Sequence, residues 1–242
     1  ELNIPAYLEM LDIQYTGAPP AAMVICYDKA IVRLVAASHG VPVPRQAFVG
    51  ADLPLAGIPD MWPALIKPNT ADGSVGITKD AVVRSREEAL EYLEWLRATL
   101  PGRDALVQEF LPGTEYGVGL IGNSETGLRM LPPLAVDYSG LPSGLNPILS
   151  FESKVDPASP YWTKIKYREA QLDEGGRQAL SDTACRLFAR LGLRDYGRFD
   201  FRTGADGIIK LIEVNPNPAW DFEAKLAIMA GFAGMSYAEM LG

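Results

Sequence analysis

The sequence predicts a mixed protein of the α+β (α/β) class, with its strands and helices gathered in two clusters. Three observations carry this. The stretches 196–202 and 211–215 alternate apolar and polar residues with a period of two, and Asp206-Gly207, a pair favoured in tight hairpin turns, lies between them. Helical periodicity recurs in separate blocks, over 28–37, 86–98 and 174–191, with short strand-like runs between them. No internal repeat or low-complexity tract suggests a solenoid or a disordered chain.

Taken in order, residues 3–11 read as a helix that runs into the turn Tyr15-Thr-Gly-Ala-Pro-Pro. An apolar-periodic helix opens at Asp28-Lys29 and ends near Gly40, and Pro42 and Pro44 mark a connection. Pro63 to Lys67 reads as a strand, and Pro68 ends it. Residues 69–76 form a small polar loop bearing Gly73 and Gly76. A helix over 86–98 keeps its charges on one side. A strand from Ala105 to Phe110 turns at Leu111-Pro-Gly113 into a second strand, Glu115 to Ile121. Residues 138–170 are rich in Pro, Ser, Lys and Tyr and long for a structureless connection, which marks a lid. An amphipathic helix, 174–191, precedes the hairpin, and helical segments follow Trp220.

The hairpin allows a register to be counted. If Asp206 and Gly207 are the two turn residues, Ala205 faces Ile208, Asp200 faces Glu213 and Arg198 faces Asn215, all four of the latter side chains on one face of the sheet. Two carboxylates directly opposite each other are destabilising unless a cation lies between them.

Composition narrows the classes. The 242 residues suffice for one large domain or two small ones, and a hydrophobic share of 48% with 21% charged residues is ordinary for a globular chain. A net charge of −8 argues against a nucleic-acid surface. No apolar run is long enough to span a bilayer, and the opening Glu1-Leu-Asn-Ile-Pro has no signal-like pattern. The expectation is a cytoplasmic protein acting on small molecules, with neither nucleic acid nor membrane as partner. Cys26 and Cys185 lie far apart, and a reduced state is the default. His39, before Gly40, reads as a helix-end residue rather than a catalyst, which sets a Ser-His-Asp hydrolase aside.

Asp200, Glu213 and Asn215 supply only hard oxygen ligands, a set that suits Mg²⁺. The alternative is a hairpin whose carboxylates pair with Arg198 and Arg202. The 69–76 loop, following the strand that ends in Lys67, can turn backbone N–H groups toward a phosphate, although it lacks the P-loop spacing and an ordinary turn would look the same. Between Gln108 and Glu115, exposed backbone beside Phe110 and Leu111 can bond an adenine edge, with Glu115 accepting from ribose. A simple turn with a solvated Glu is the other reading.

Together, Asp28-Lys29, Lys67 with its Gly-Ser loop, Gln108-Glu-Phe-Leu-Pro-Gly-Thr-Glu115 and Arg198-Phe-Asp200 … Glu213-Val-Asn215 resemble, in order and spacing, the ATP-grasp superfamily. The opening Ile4 to Gly17 and the closing Gly234-Met-Ser-Tyr237 are similar to its D-alanine–D-alanine ligase branch. The resemblance implies two α+β subdomains that clamp ATP, and a ligase that phosphorylates a carboxylate and lets an amine displace phosphate. It further implies that Asp200, Glu213 and Asn215 bind two Mg²⁺ ions, Glu213 bridging them, and that Lys29 and Lys67 contact phosphates. Gly73 and Ser74 would close over those phosphates. The backbone of Glu109 and Leu111, with Gln108 and Phe110 beside it, would read adenine, and Glu115 the ribose. Lys154 would reach the γ-phosphate, Arg198 would stabilise charge at the acyl carbon, and 138–170 would exclude water.

The implied division is 1–27 as a remnant of a preceding domain, 28–114 as the central subdomain and 115–242 as the C-terminal subdomain. Relative to the resembling family, the chain begins at the last helix of the N-terminal domain, so a partial chain is expected, with a homodimer conceivable for the full-length protein. Pro216-Asn-Pro-Ala219-Trp-Asp221-Phe-Glu223 replaces the small Gly- and Ser-containing loop that binds the acceptor carboxylate, so D-alanyl-D-alanine is not the expected product and a cationic or amine-rich acceptor fits better; the alternative is that these acidic residues simply face solvent. Gln108 stands where an acid is frequent, and Gly73 where a serine is. The expected function is an ATP- and Mg²⁺-dependent carboxylate–amine ligase for an amino acid or small peptide. The alternative is a catalytically silent ATP-binding module.

Overall fold

The computed structural model describes residues 2–241, except for the side chain of Ala56. Glu1 and Gly242, which end the first and last expected subdomain spans, lie outside the described residues. Two helices, α1 (Asn3–Met10) and α2 (Pro20–Tyr27), lead into α3 (Lys29–Ser38). Pro20 opens α2, where its missing N–H costs nothing. Asp28 caps α3 by accepting from the Ile31 N–H at 2.9 Å. His39 closes that helix, its Nδ1 lying 3.1 Å from the Val35 carbonyl.

The first sheet has four antiparallel strands in the order β1-β4-β2-β3: β1 (Gln46–Val49), β2 (Ala64–Pro68), β3 (Val82–Val83) and β4 (Ala105–Glu109). Helix α4 (Arg86–Thr99) lies over it. Ser85 caps this helix, and Leu93 and Leu96 pack with Ile66 and Val107 in one buried cluster. Each such side chain removed from water contributes about 1.5–3 kcal/mol.

The second sheet runs β10-β9-β5-β7-β8, with β6 paired to β5, again antiparallel throughout: β5 (Glu115–Asn123), β6 (Gly127–Met130), β7 (Leu134–Asp137), β8 (Lys166–Glu169), β9 (Tyr196–Thr203) and β10 (Ile209–Asn215). Phe199 and Phe201 face α3 and α7 (Glu174–Arg190), in a core shared with Phe188 and Leu187. The alternate residues Arg198, Asp200 and Arg202 therefore face the other way. Helix α8 (Lys225–Phe232) packs on that opposite face, with Leu226 and Met229 fully buried. Gly119 permits the approach, since a Cβ there would stand 2.7 Å from Leu226 Cδ2. Helix α9 (Tyr237–Leu241) ends the description.

Two expectations need correction. The hairpin turn is not a two-residue one with Ala205 facing Ile208. Gly204 accepts from the Gly207 N–H and donates to the Ile208 carbonyl, with Gly207 at φ +76, so three residues form the loop. That register pairs Thr203 with Ile209 and would carry Ile212, not Glu213, opposite Asp200. A β-bulge between Leu211 and Glu213 restores the expected pairs Asp200–Glu213 and Arg198–Asn215. Leu211 and Val214, three residues apart, both stay in the core as a result. The second correction concerns 138–170, which is not structureless. It holds α5 (Glu152–Val155), α6 (Pro160–Lys164) and β8, and Ile148 and Tyr161 are buried against the first sheet.

Candidate active site

Between the two sheets lies a cleft of about 570 Å³. All fourteen residues singled out from the sequence line it: Lys29, Lys67, Gly73, Ser74, Gln108, Glu109, Phe110, Leu111, Glu115, Lys154, Arg198, Asp200, Glu213 and Asn215. Long-range folding brings them together, because they come from α3, β2, β4, β5, α5, β9 and β10 and from the loops after β2 and β4.

On the hairpin, the Arg198 guanidinium forks onto Asp200, with Nε 2.9 Å from Oδ1 and Nη2 3.0 Å from Oδ2. Asn215 donates to the same Oδ2 at 3.3 Å. Burial pushes the Asp200 carboxyl up, but Arg198 and Lys225 outweigh it and hold the carboxyl at about 2. Glu213 is answered by Lys29, 3.3 Å away, whose Nζ also donates to the Ala71 carbonyl. The opposed carboxylates thus avoid mutual repulsion through cations of their own, Arg198 and Lys225 at Asp200 and Lys29 at Glu213. The alternative of charge pairing within the hairpin is realised in half: Arg198 takes Asp200, whereas Arg202 reaches across to Glu115 at 3.2 Å. Tyr138 donates to Glu115 at 2.7 Å, so this glutamate is buried and engaged rather than a solvated turn residue.

Opposite the hairpin, Lys67 on β2 is 4% exposed, with no carboxylate at ion-pair distance among the described residues. Desolvation lowers its ammonium to about 8, against a smaller upward pull from Glu213. Gly73 and Ser74 both have positive φ, +61 and +60, and Ser74 Oγ donates to the Leu149 carbonyl at 2.7 Å, tying the small loop to 138–170. Lys154 lines the cleft from α5. Desolvation, then the charges of Lys225 and Arg198, lower its pKa. On β4, Gln108 donates to Gln46 at 3.1 Å, and the Glu109 N–H donates to the Arg45 carbonyl at 2.9 Å. The Glu109 carboxylate meets Arg45 and Lys210; burial pushes it up, and their hydrogen bonds prevail and lower it.

The cleft also contains residues that no sequence motif marks, Trp162, Tyr167, Ile212 and Lys225, together with Arg202. Burial raises the Tyr167 phenol to about 12. Ile212 enters only because of the bulge, which no periodicity count can foresee. Lys225 follows the stretch 216–223, of which Ala219, Asp221 and Glu223 also line the cleft.

As a metal site, Asp200, Glu213 and Asn215 offer two carboxylates and one amide oxygen on neighbouring strand positions. That is too few donors for a protein-only cage, and no group of three or more His, Cys, Asp or Glu gathers among the described residues. The set fits Mg²⁺, which leaves several positions to water and phosphate.

Comparison with known proteins places this geometry. The family described as "D-ala D-ala ligase C-terminus" matches residues 59–242. A D-alanine–D-alanine ligase from Bordetella avium is 28% identical over 241 residues, covering 98% of this chain and 70% of that protein. The D-alanine–D-alanine ligase from Bacillus anthracis, solved in complex with ATP, superposes with a TM-score of 0.75 at 19% identity, covering 98% of this chain and 71% of that one. The VanG D-Ala:D-Ser ligase from Enterococcus faecalis gives 0.75 at 20%, covering 98% and 66%. The cleft lies between two α+β layers, as the ATP-grasp fold requires, and the match spans most of the chain. The chain belongs to the D-Ala–D-Ala ligase C-terminal family, ATP-grasp enzymes that form carbon–nitrogen bonds at the expense of ATP.

Proposed function

We propose that this protein is an ATP- and Mg²⁺-dependent carboxylate–amine ligase acting on an amino acid or small peptide, with a product other than D-alanyl-D-alanine. One observation carries the reading. The inner acids of the cleft, Glu109, Glu115, Asp200 and Glu213, each meet a cation, and Lys67 and Lys154 remain without a carboxylate at ion-pair distance among the described residues. In a chain of net charge −8, two cleft-lining ammonium groups without a carboxylate partner fit a polyanion.

In this reading, the four-stranded sheet within 28–114 and the six-stranded sheet within 115–242 form the two halves of the clamp. Asp200, Glu213 and Asn215 would hold Mg²⁺, which when bound neutralises phosphate charge. Lys29 and Lys67 hold phosphate oxygens, with Gly73 and Ser74 covering them. Lys154 approaches the terminal phosphate from α5. Gln108, Glu109, Phe110 and Leu111 border the base, and Glu115 stands near the sugar. Arg198 stabilises the oxyanion that forms when the amine attacks the acylphosphate. The 138–170 segment, anchored through Ser74 and Arg202, keeps water from that intermediate.

The substrate inference rests on the cleft-lining Asp221 and Glu223, whose carboxylates disfavour an acceptor carboxylate and favour an amine-rich acceptor. The test is ATP-dependent phosphate release across an amino-acid panel that includes D-alanine, with mass spectrometry of the product. Release stimulated by a cationic amino acid supports the reading. Nucleotide binding without turnover on any member removes it, and D-alanyl-D-alanine as the main product removes the substrate inference.

A further inference from the structure

Lys225 belongs to none of the motifs above. It opens α8, whose start has Ala224 as its N-cap and no side-chain cap. Its side chain is 9% exposed and lines the cleft. The ammonium stands 3.8 Å from Asp200 Oδ2 and 4.0 Å from Glu115 Oε1, with the Tyr167 ring centre 5.9 Å away. These distances exceed hydrogen-bond length, and Nζ makes no hydrogen bond among the described residues. Both carboxylates already have better-placed donors: Arg198 and Asn215 on Asp200, and Arg202 and Tyr138 on Glu115. An ammonium has three donors, and at the cleft surface none of those of Lys225 is taken by a protein acceptor among the described residues.

Leu226 and Met229 fix the start of α8 against Gly119. The Lys225 stem is held in place, and its head borders the cleft, where a ligand can supply the acceptor.

The neighbouring charges identify that ligand's chemistry. Arg198, Lys154 and Lys225 converge on Asp200, while Glu115 is answered separately by Arg202. A group with several oxygens and more than one negative charge satisfies such a cluster better than a single carboxylate does. Resting on the ligase reading above, we propose that Lys225 is a further phosphoryl-binding residue, donating to the oxygens of the phosphoryl group in transfer. In that step a carboxylate oxygen forms the new bond to phosphorus, the bond to the ADP oxygen breaks, and ADP leaves with the electron pair. Lys225 keeps its proton throughout.

The experiment is calorimetric titration of Mg²⁺-AMP-PNP and Mg²⁺-ADP into the wild-type protein, Lys225→Met and Lys225→Arg. Loss of a charge-assisted contact to the terminal phosphoryl group weakens AMP-PNP about 10- to 100-fold in Lys225→Met and leaves ADP affinity unchanged, with partial recovery in Lys225→Arg. Equal weakening of both nucleotides, or of neither, overturns the proposal. So does a variant that binds AMP-PNP normally but has a raised KM for the acid substrate, because Lys225 then reads a carboxylate. If Lys225→Met does not fold, Lys225→Gln supplies the same comparison. Failure of the wild-type protein to bind either nucleotide removes the ligase reading as well; normal wild-type binding with an indifferent variant removes only the role of Lys225.

Discussion

On the six-stranded sheet, Arg198 and Arg202 each lie against a carboxylate, at 2.9 and 3.2 Å, and these two guanidinium groups have their counter-charges within the protein. On the four-stranded sheet across the cleft, Lys67 is as deeply buried and has no such partner. The two walls therefore differ in what completes them. The hairpin wall is closed at these two pairs, and removing either member is costly because it leaves the other charge buried and uncompensated. The β2 wall is electrostatically open, and an incoming anion supplies what the sequence withholds.

Removing a partner from the closed wall should have the largest effect. Asp200→Asn leaves the Arg198 guanidinium buried without its counter-charge, and the expected cost is about 3–5 kcal/mol in urea unfolding, together with weaker Mg²⁺-dependent nucleotide binding. Unchanged stability would mean that the closed wall is not structural, and unchanged nucleotide binding would remove the metal assignment. The open wall should respond in the opposite sense. Lys67→Met should keep or raise unfolding stability while nucleotide affinity falls by about 1.5–3 kcal/mol, read by calorimetry. A large loss of stability would put Lys67 on the same footing as Arg198.

The pH dependence sharpens the contrast. Burial lowers Lys67 in the folded state to about 8 from 10.5. Between those values the unfolded chain holds the extra proton, so this group makes stability rise with pH across the window, by at most about 1.4 kcal/mol per pH unit. Nucleotide affinity should fall over the same range, since the phosphates need the protonated amine. Both trends should vanish in Lys67→Met, as measured by denaturation and titration at pH 7.5 to 10. The smallest effect belongs to the link between the walls and 138–170. Ser74→Ala removes a hydrogen bond to the Leu149 carbonyl and should cost about 0.5–1.5 kcal/mol in a thermal melt.

Much of this was legible in the chain. Helices such as α3 and α4 announce themselves through Asp28, apolar spacing and charges kept to one side, and the alternation around Phe199 and Phe201 declares which residues face away from the core. Helix α2 was not legible: its sequence, Pro20–Tyr27, is almost uniformly apolar and offers no period to read. The short strands β1, β3, β6 and β7 are similarly quiet, because two to four residues carry too little pattern.

By itself the sequence determined the chemistry available: which strands carry Arg198, Asp200, Glu213 and Asn215, where Lys67 ends its strand, and that the hairpin places acids beside bases. Those facts follow from residue identity and a local period of two. Tertiary structure alone decided the rest. The bulge before Glu213 set the hairpin in working register after the turn had shifted it by one residue. The packing of α8 on Gly119 brought Lys225 into the cleft, and the docking of 138–170 brought Lys154 there. Each depends on contacts between residues distant in the chain, whose outcome is set by shape and burial rather than by any pattern within one segment.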